Sequence, residues 1–474
     1  MILDEVFAFG RELPRAYARN EARRADVLAT QQRRLRDILR RASLTPRLAA
    51  QRFDRLTDVE PLTKRMILEH FDDTTVGGPS RADVFAFLQS QRPGDTLDGR
   101  YVVATTSGTT GEVGVFVHDL VDFARTRATV FARIFRGQLT TEGFSLLARR
   151  RYRMTFVVAV QGHTMSAVLA LRMPRVGRVV AAVDVRSIDE PLPRLLDALN
   201  RTRPMLLHSY PTLLEVLAAE QAKGSLRIEP EIITAGSEPV TSSCRAAIAK
   251  AFPGAQLVET WAATEHLALA TSCRHGSLHL NEDVVVLEPI DDQGRATPVG
   301  ELSDRVLLTN LLNRTQPLVR YELADRVRIL EEAAGCACGS PFVRVEVHGR
   351  TDDTFYLIDE LGRLQSHPPI PLEIALLGAP GLAQFQLVHE TQNVLQLSFV
   401  SDAHDAAAVA GELDARLARY LAAHSLLGSI RISIEQVDAL VRHARSRKLR
   451  QIRSQVSRPP GPVVPAAAVR NARE

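Results

Sequence analysis

From residue 101 to residue 252 the chain alternates short β-branched runs with helix-period segments, and no other feature restricts the fold as much. Strand signals lie at 101–104, 113–118, 156–160, 179–185, 205–208 and 231–235. Helix signals lie at 119–135, from 166, and at 191–200, 211–223 and 241–252. Consecutive parallel strands need a long crossover, usually a helix, so the alternation predicts a mostly parallel α/β sheet. Residues 1–95 read as mainly helical, with Leu35, Ile38 and Leu39 and then Leu44 and Leu48 at helical spacing. After about Cys273 the pattern turns strand-rich, at 284–288, 305–309, 327–330 and 343–348. A polar break at 349–353 leads into a smaller α+β pattern, with strands at 384–390, 394–400 and 430–436 and a helix at 406–424. The expected domains are therefore 1–349, which includes the helical region 1–95, and 354–458, joined by a hinge at 350–353. The Pro/Ala-rich tail 459–474 lacks a core pattern and reads as disordered.

A length of 474 residues fits two or more cores. No run of about 18 uncharged apolar residues is present, and the first residues carry Asp4, Glu5 and Arg11, so no membrane partner and a cytoplasmic location are expected. The 59 basic residues nearly balance 55 acidic ones, which argues against nucleic acid. The short basic clusters Arg33, Arg34, Arg36, Arg40, Arg41 and Arg149, Arg150, Arg151, Arg153 read as solvated faces. Four cysteines in so long a chain do not make a disulfide scaffold.

Thr105-Thr106-Ser107-Gly108-Thr109-Thr110-Gly111 follows a strand. Its glycines let backbone approach a ligand, and its hydroxyl and N–H groups can donate to phosphate. It lacks the Gly-Lys-Ser/Thr of a Walker loop and joins strand to strand; a Ser/Thr-rich hairpin turn is the plain alternative.

This loop resembles the phosphate loop of the adenylate-forming superfamily, and further motifs follow in that family's order. Ala235-Gly236-Ser237-Glu238-Pro239 resembles its adenine-side loop, and Thr260-Trp261-Ala262-Ala263-Thr264-Glu265 its aromatic–x–x–Thr–Glu motif. Tyr321-Glu322-Leu323-Ala324-Asp325 is similar to the ribose motif, Gly349-Arg350-Thr351-Asp352-Asp353 to the hinge, and Arg445-Ser446-Arg447-Lys448 to the segment carrying the small-domain lysine. Pro61-Leu62-Thr63-Lys64, the Gly-Ser-Glu-Pro loop and Leu280-Asn281-Glu282-Asp283 place the resemblance in the phenylacetate–CoA ligase-like branch. The resemblance implies a large N-terminal domain of mixed sheets and helices and a small mobile α+β C-terminal domain. It also implies ATP-dependent conversion of a carboxylic acid, aryl or small, to acyl-AMP with release of pyrophosphate.

Joining a carboxylate to the α-phosphorus brings two anions together, so positive charge and metal are required. Glu265 suits Mg²⁺, a hard cation that prefers carboxylate oxygen. The resemblance puts Thr264 at the α-phosphate and Trp261 on adenine, although a lone tryptophan also suits a core. It puts Gly236, Ser237, Glu238 and Pro239 along the other adenine wall, with Thr260 beside them. Asp325 would accept the ribose hydroxyls and Arg350 would donate to ribose or phosphate. Lys448 stands in a basic stretch that composition alone reads as a solvated tail; the resemblance makes it the cation bridging acid and α-phosphate. Asp352 would be the hinge residue, and an ordinary Asx turn fits it equally. The acid pocket is expected from Gln161, His163, Tyr210, Ala262 and Ala263, with His163 also suited to a satisfied core position.

Cys336-x-Cys338-Gly339 is a tight loop able to present two thiolates, and Cys273, His275 and His279 lie upstream. Three thiolates and one imidazole would form a closed, structural Zn²⁺ site; resemblance to related ligases selects His279. Free buried thiols are the alternative. Cys244 reads as a buried helix residue.

Three departures from the family bear on function. Glu112 follows Gly111, so no loop lysine neutralises pyrophosphate, and Ala262 replaces the usual glycine. The Gly-rich stretch expected after the hinge of CoA-using relatives is replaced by Thr354-Phe355-Tyr356-Leu357-Ile358-Asp359. The leading expectation is thioester formation with CoA; the altered segment favours an amine or a carrier-protein thiol as the alternative acceptor. A non-catalytic nucleotide-binding relative is a third reading, and homodimers are common in the family.

Overall fold

The structure is a computed structural model. It describes residues 2–51, 53, 55–106, 113–136, 152–160, 162–177, 181–331, 335–367, 369–376, 379–401, 405–442, 449–456 and 464–465.

The alternating segment folds as expected. An antiparallel pair, β1 (Tyr101–Thr105) and β2 (Val115–Asp119), opens it, with Thr105 opposite Val115. Next come β3 (Tyr152–Val158), β4 (Ala181–Ser187), β5 (Leu206–Ser209), β6 (Ile232–Gly236), β7 (Gln256–Ala263), β8 (His266–Ser272) and β9 (Leu278–Leu280). They form a seven-stranded sheet in the order β4-β3-β5-β6-β7-β8-β9, parallel as far as β7 and antiparallel beyond it. The crossover helices start and stop where local chemistry dictates. Helix Pro211–Lys223 has Pro211 in its first turn, where a missing N–H costs nothing, and Gly224 as a left-handed cap at φ 81°. Its leucines Leu213, Leu214 and Leu217 pack with Leu195, Leu199 and Ile248 of the neighbouring helices against Leu207 and Ile233.

The strand-rich region comprises β10 (Val285–Ile290), β11 (Arg305–Asn310) and β12 (Tyr321–Leu323) in one sheet, and β13 (Asp325–Ile329) with β14 (Val345–Arg350) in another. Its core joins β1 and β2 through Val103, Phe116, Leu308 and Tyr321. Arg34 departs from the solvated-face reading: it binds Glu12 and Asp283 with a side chain 14% exposed. The helices Ile2–Ala18 and Arg24–Ala42 thus dock through ion pairs as well as apolar contacts.

Beyond the 3₁₀ turn Thr351–Asp353 a separate apolar core is built from residues 355–452, including Phe355, Leu387, Leu397 and Leu417. It holds β15 (Phe355–Ile358), β16 (Leu364–His367), β17 (Leu382–Thr391), β18 (Val394–Ser401), β19 (Arg431–Gln436), β20 (Ile452–Ser454) and β21 (Val464–Pro465). In the order β19-β18-β17-β20 the first three are the expected strands, β20 is an added parallel partner of β17, and helix Ala406–Ala423 follows β18. The β15–β16 hairpin departs from the sequence reading. Asp359 accepts from the N–H groups of Leu361 and Arg363, and Gly362 takes φ 75°, so the segment after the hinge turns back on itself. In the tail expected to lack structure, Val464–Pro465 pairs with β16. Among the described residues no helix is long and apolar enough to cross a membrane.

Candidate active site

The C-terminal ends of β6 and β7, the β12–β13 turn and the small domain enclose a cavity of about 920 Å³. Crevices at strand ends are where open α/β sheets bind ligands. Of the expected residues, Ser237, Glu238, Pro239, Thr260, Trp261, Ala262, Ala263, Thr264, Glu265, Asp325 and Arg350 all line it. The small domain contributes Glu373, Leu449, Arg450, Gln451 and Ile452.

Close approach shapes the β6 end. A Cβ on Gly236 would lie 2.5 Å from Thr260 Oγ1 and 3.3 Å from its carbonyl oxygen, so glycine is required there. Ser237 adopts φ 71°, a left-handed conformation that costs a non-glycine residue energy. This kink sends the Glu238 carboxyl to the first turn of helix Pro211–Lys223. Its Oε2 accepts from Thr212 N at 3.2 Å and Thr212 Oγ1 at 2.8 Å, while Oε1 accepts from Leu449 N at 2.8 Å. Burial pushes the Glu238 pKa up, and these donors work against it.

β7 pairs with β8 through an irregular register between Trp261 and Ala263, and Thr264 and Glu265 form the connecting turn. Trp261 packs against the strand-rich core and donates Nε1–H to Asp325 Oδ1 at 3.2 Å. Asp325 Oδ2 accepts from Arg350 at 3.1 Å. Both Asp325 oxygens are thus oriented, each with a further lone pair for a ligand hydroxyl. Glu265 is 5% exposed. Burial drives its pKa up, its own N–H, Arg350 and the Tyr321 hydroxyl oppose this, and Asp325 adds to the rise. The net rise marks a carboxylate whose ionised form the surrounding groups do not fully offset.

Thr106 also lines the cavity, and it fixes the near end of the Ser/Thr/Gly loop: Thr106 N donates to Gly114 O, and Gly114 N to Thr106 Oγ1, both at 2.8 Å. Ser107, Gly108, Thr109, Thr110 and Gly111 lie outside the described residues, as do Gln161 and Lys448. Asp352 sits in the turn Thr351–Asp353.

His163 and Tyr210 are not among the lining residues. His163 Nε2 meets Gln91 O at 3.1 Å and its ring packs on Phe87. Tyr210 is buried, and its hydroxyl accepts from Ala159 N at 3.2 Å. Sequence analysis did not single out Glu373, which lines the cavity from the small domain. Thr63 and Lys64 of the N-terminal motif line the cavity too.

At a separate corner, ligand atoms of Cys273, His279, Cys336 and Cys338 lie within 4.8 Å of one another. Cys273 Sγ and Cys336 Sγ are 3.7 Å apart, and Cys338 Sγ and His279 Nε2 are 3.4 Å apart. Tetrahedral zinc, with bonds of about 2.3 Å to sulfur and 2.0–2.1 Å to nitrogen, gives edges of about 3.8 Å and 3.6 Å. His279 Nδ1 lies 2.9 Å from Phe342 O; a proton donated there leaves Nε2 free as a ligand. The donor set fits the ion.

No family model matches the chain, and no curated protein matches it in sequence. Its structure is similar to 2-hydroxyisobutyryl-CoA ligase in the postadenylation state in complex with 2-HIB-AMP: TM-score 0.67, 19% identity, covering 96% of this chain and 92% of that one. Against the same ligase in an open conformation with 2-HIB-AMP and CoA the TM-score is 0.56, at 18% identity and 93% coverage of both chains. Against its thioesterification state the TM-score is 0.55, at 20% identity, covering 93% and 91%. The chain therefore has the adenylate-forming fold expected from its sequence.

Proposed function

We propose that the chain activates a carboxylic acid with ATP and passes the acyl group to CoA, as an adenylate-forming enzyme of phenylacetate–CoA ligase-like type. One observation carries this reading: Glu265, the Trp261–Asp325–Arg350 set and Thr106 converge on a single cavity closed by the small domain. The higher TM-score against the postadenylation state than against the other two states supports an adenylating pose.

An acid carboxylate oxygen attacks the α-phosphorus, the bond to the β-phosphate oxygen breaks, and pyrophosphate leaves. Asp325 and Arg350 orient the ribose, and Trp261 and Pro239 flank the base. Residues 107–111 cradle the phosphates, with Thr264 at the α-phosphate. Glu265 would hold Mg²⁺, which would supply positive charge to offset the phosphates. Lys448 bridges the acid oxygen and the α-phosphate, and Ala262 and Ala263 border the acid. The small domain then turns about Asp352, a thiolate attacks the acyl carbon, and AMP leaves. The paired β15–β16 hairpin, standing where a Gly-rich stretch is expected, favours an amine or a carrier-protein thiol as the second reading of the acceptor.

The test is ATP–pyrophosphate exchange with Mg²⁺ against a panel of aryl, amino and short aliphatic acids. Acid-dependent exchange is expected, and adding CoA, amines or a carrier then sorts the acceptors. Absence of exchange with every acid, from protein that binds ATP, would overturn the reading. The Cys273/His279/Cys336/Cys338 corner we assign to a structural zinc. Metal analysis of purified protein should find about one zinc per chain, lost in Cys338→Ser; zinc-free folded protein would sink the assignment.

A further inference from the structure

We infer that Glu238 is not a nucleotide ligand but a positioning residue, which docks the small domain onto the large one in the adenylating pose. The inference rests on the adenylating reading above for its kinetic consequence, not for its structural one.

Both carboxylate oxygens of Glu238 accept from protein donors, and Oε2 has two of them. Oε2 takes the N–H and hydroxyl of Thr212, at 3.2 and 2.8 Å, in the first turn of a 13-residue helix whose partial positive end favours an anion. Oε1 takes the N–H of Leu449 at 2.8 Å. Thr212 and Glu238 belong to the large domain, and Leu449 belongs to the small one. Arg442 adds a second crossing, reaching Thr212 Oγ1 at 3.5 Å.

Leu449 is itself fixed within the small domain. Gln386 Nε2 donates to Arg450 O at 3.0 Å, Leu387 N donates to Gln451 O at 2.7 Å, and Arg450 pairs with Asp353 at the hinge turn. The Glu238–Leu449 bond therefore transmits the pose of the whole small domain. Leu449 directly follows Lys448 in the chain, and consecutive Cα atoms stand about 3.8 Å apart. Holding Leu449 N holds the position from which Lys448 must reach. On the adenylating reading, a rotation of the small domain about residues 350–353 would separate Leu449 from Glu238, so the bond would serve the first half-reaction and not the second.

The experiment compares full-length wild type, Glu238→Ala and Glu238→Gln by hydrogen exchange and by half-reaction kinetics. In Glu238→Ala the amides of 449–452 should exchange about ten- to a hundredfold faster, with β17–β18 protection retained. ATP–pyrophosphate exchange should lose kcat by a similar factor with little change in the KM for ATP. Transfer from preformed acyl-AMP to the acceptor should be unchanged. Glu238→Gln, which keeps one acceptor oxygen, should fall between. Unchanged protection at 449–452 overturns the inference. So does an equal loss in both half-reactions, or a raised KM for ATP at constant kcat, which would make Glu238 a nucleotide ligand. If Glu238→Ala misfolds, Thr212→Val removes one donor to the same carboxylate and should show the same pattern, weaker. Faster exchange at 449–452 in a protein that adenylates no acid would uphold the docking bond and sink the adenylating reading instead.

Discussion

Two buried carboxylates, Asp283 and Glu265, separate what the protein stabilises for itself from what it leaves for a ligand. Asp283 is 0% exposed. Its oxygens meet Arg133 at 2.7 Å and Arg19 at 3.3 Å, with Arg34 at 3.9 Å. Burial alone would raise its pKa, but Arg133, Arg34 and Arg19 together outweigh burial and the net shift is downward. Glu265 is 5% exposed and lines the cavity. There burial wins: Arg350 acts on it while already bonded to Asp325, and Asp325 repels it. Asp283 is a finished ion-pair network tying the N-terminal helices to the body. Glu265 is an unfinished one at the wall of a cleft.

The largest expected effect breaks the finished network. Asp283→Asn leaves the guanidiniums of Arg19, Arg34 and Arg133 facing a neutral amide, and should cost about 3–5 kcal/mol of stability. Denaturant unfolding measures it; a loss under 1 kcal/mol would mean the cluster is solvated rather than structural. Glu265→Gln should do the opposite. Acid-dependent pyrophosphate exchange should fall about a hundred- to a thousandfold, equivalent to about 2.7–4 kcal/mol of transition-state stabilisation. Thermal stability should hold or rise, because an uncompensated buried charge has gone. A variant that loses stability along with activity would place Glu265 with Asp283.

Glu373 sharpens the comparison from the other side of the cavity. Its Oε1 has no hydrogen-bond partner among the described residues. Burial, and secondarily Glu215, push its pKa from an ordinary 4.5 to about 7. The fold penalises the ionised form. Below pH 4.5 both folded and unfolded states are protonated and nothing is lost. Between pH 4.5 and about 7 only the unfolded state ionises, so stability falls as pH rises, by about 3 kcal/mol in all. Glu373→Gln should remove that slope and be the more stable protein at pH 8. Parallel pH–stability curves for variant and wild type would show that the carboxyl is compensated.

Much of this was legible in the sequence, for reasons that differ by element. The parallel strands announced themselves because β-branched runs such as Ile232–Gly236 alternate with helices bounded by Pro211 and Gly224. The residues lining the cleft fall in short contiguous motifs, so Trp261 through Glu265 could be read together. Hairpin β15–β16 was not read, because its turn depends on Asp359 side-chain bonds rather than on a hydrophobic period. Arg34 read as solvent-facing because Asp283 lies 249 residues away. The bonds of Glu238 to Thr212 and Leu449 left no trace in the sequence because those partners lie 26 and 211 residues from it. Side-chain partnerships at such distances leave no local periodicity.

The smallest predicted effect tests the unfinished network directly. Mg²⁺ binding to Glu265 needs the ionised carboxylate, and the fold holds its pKa above the ordinary carboxylate value. Above that raised pKa the carboxylate is already charged and metal affinity should be flat. Below it the ion must displace a proton, so Mg²⁺ affinity in the presence of ATP should fall about tenfold, or 1.4 kcal/mol, per pH unit. In Glu265→Gln the descending limb should vanish and leave the shallow profile of ATP's own phosphates. Asp283 predicts no such limb, since its arginine partners hold its pKa below the ordinary carboxylate value. An identical Mg²⁺ profile in wild type and Glu265→Gln would remove Glu265 as the metal ligand. Its raised pKa would then reflect burial next to Asp325 and nothing more.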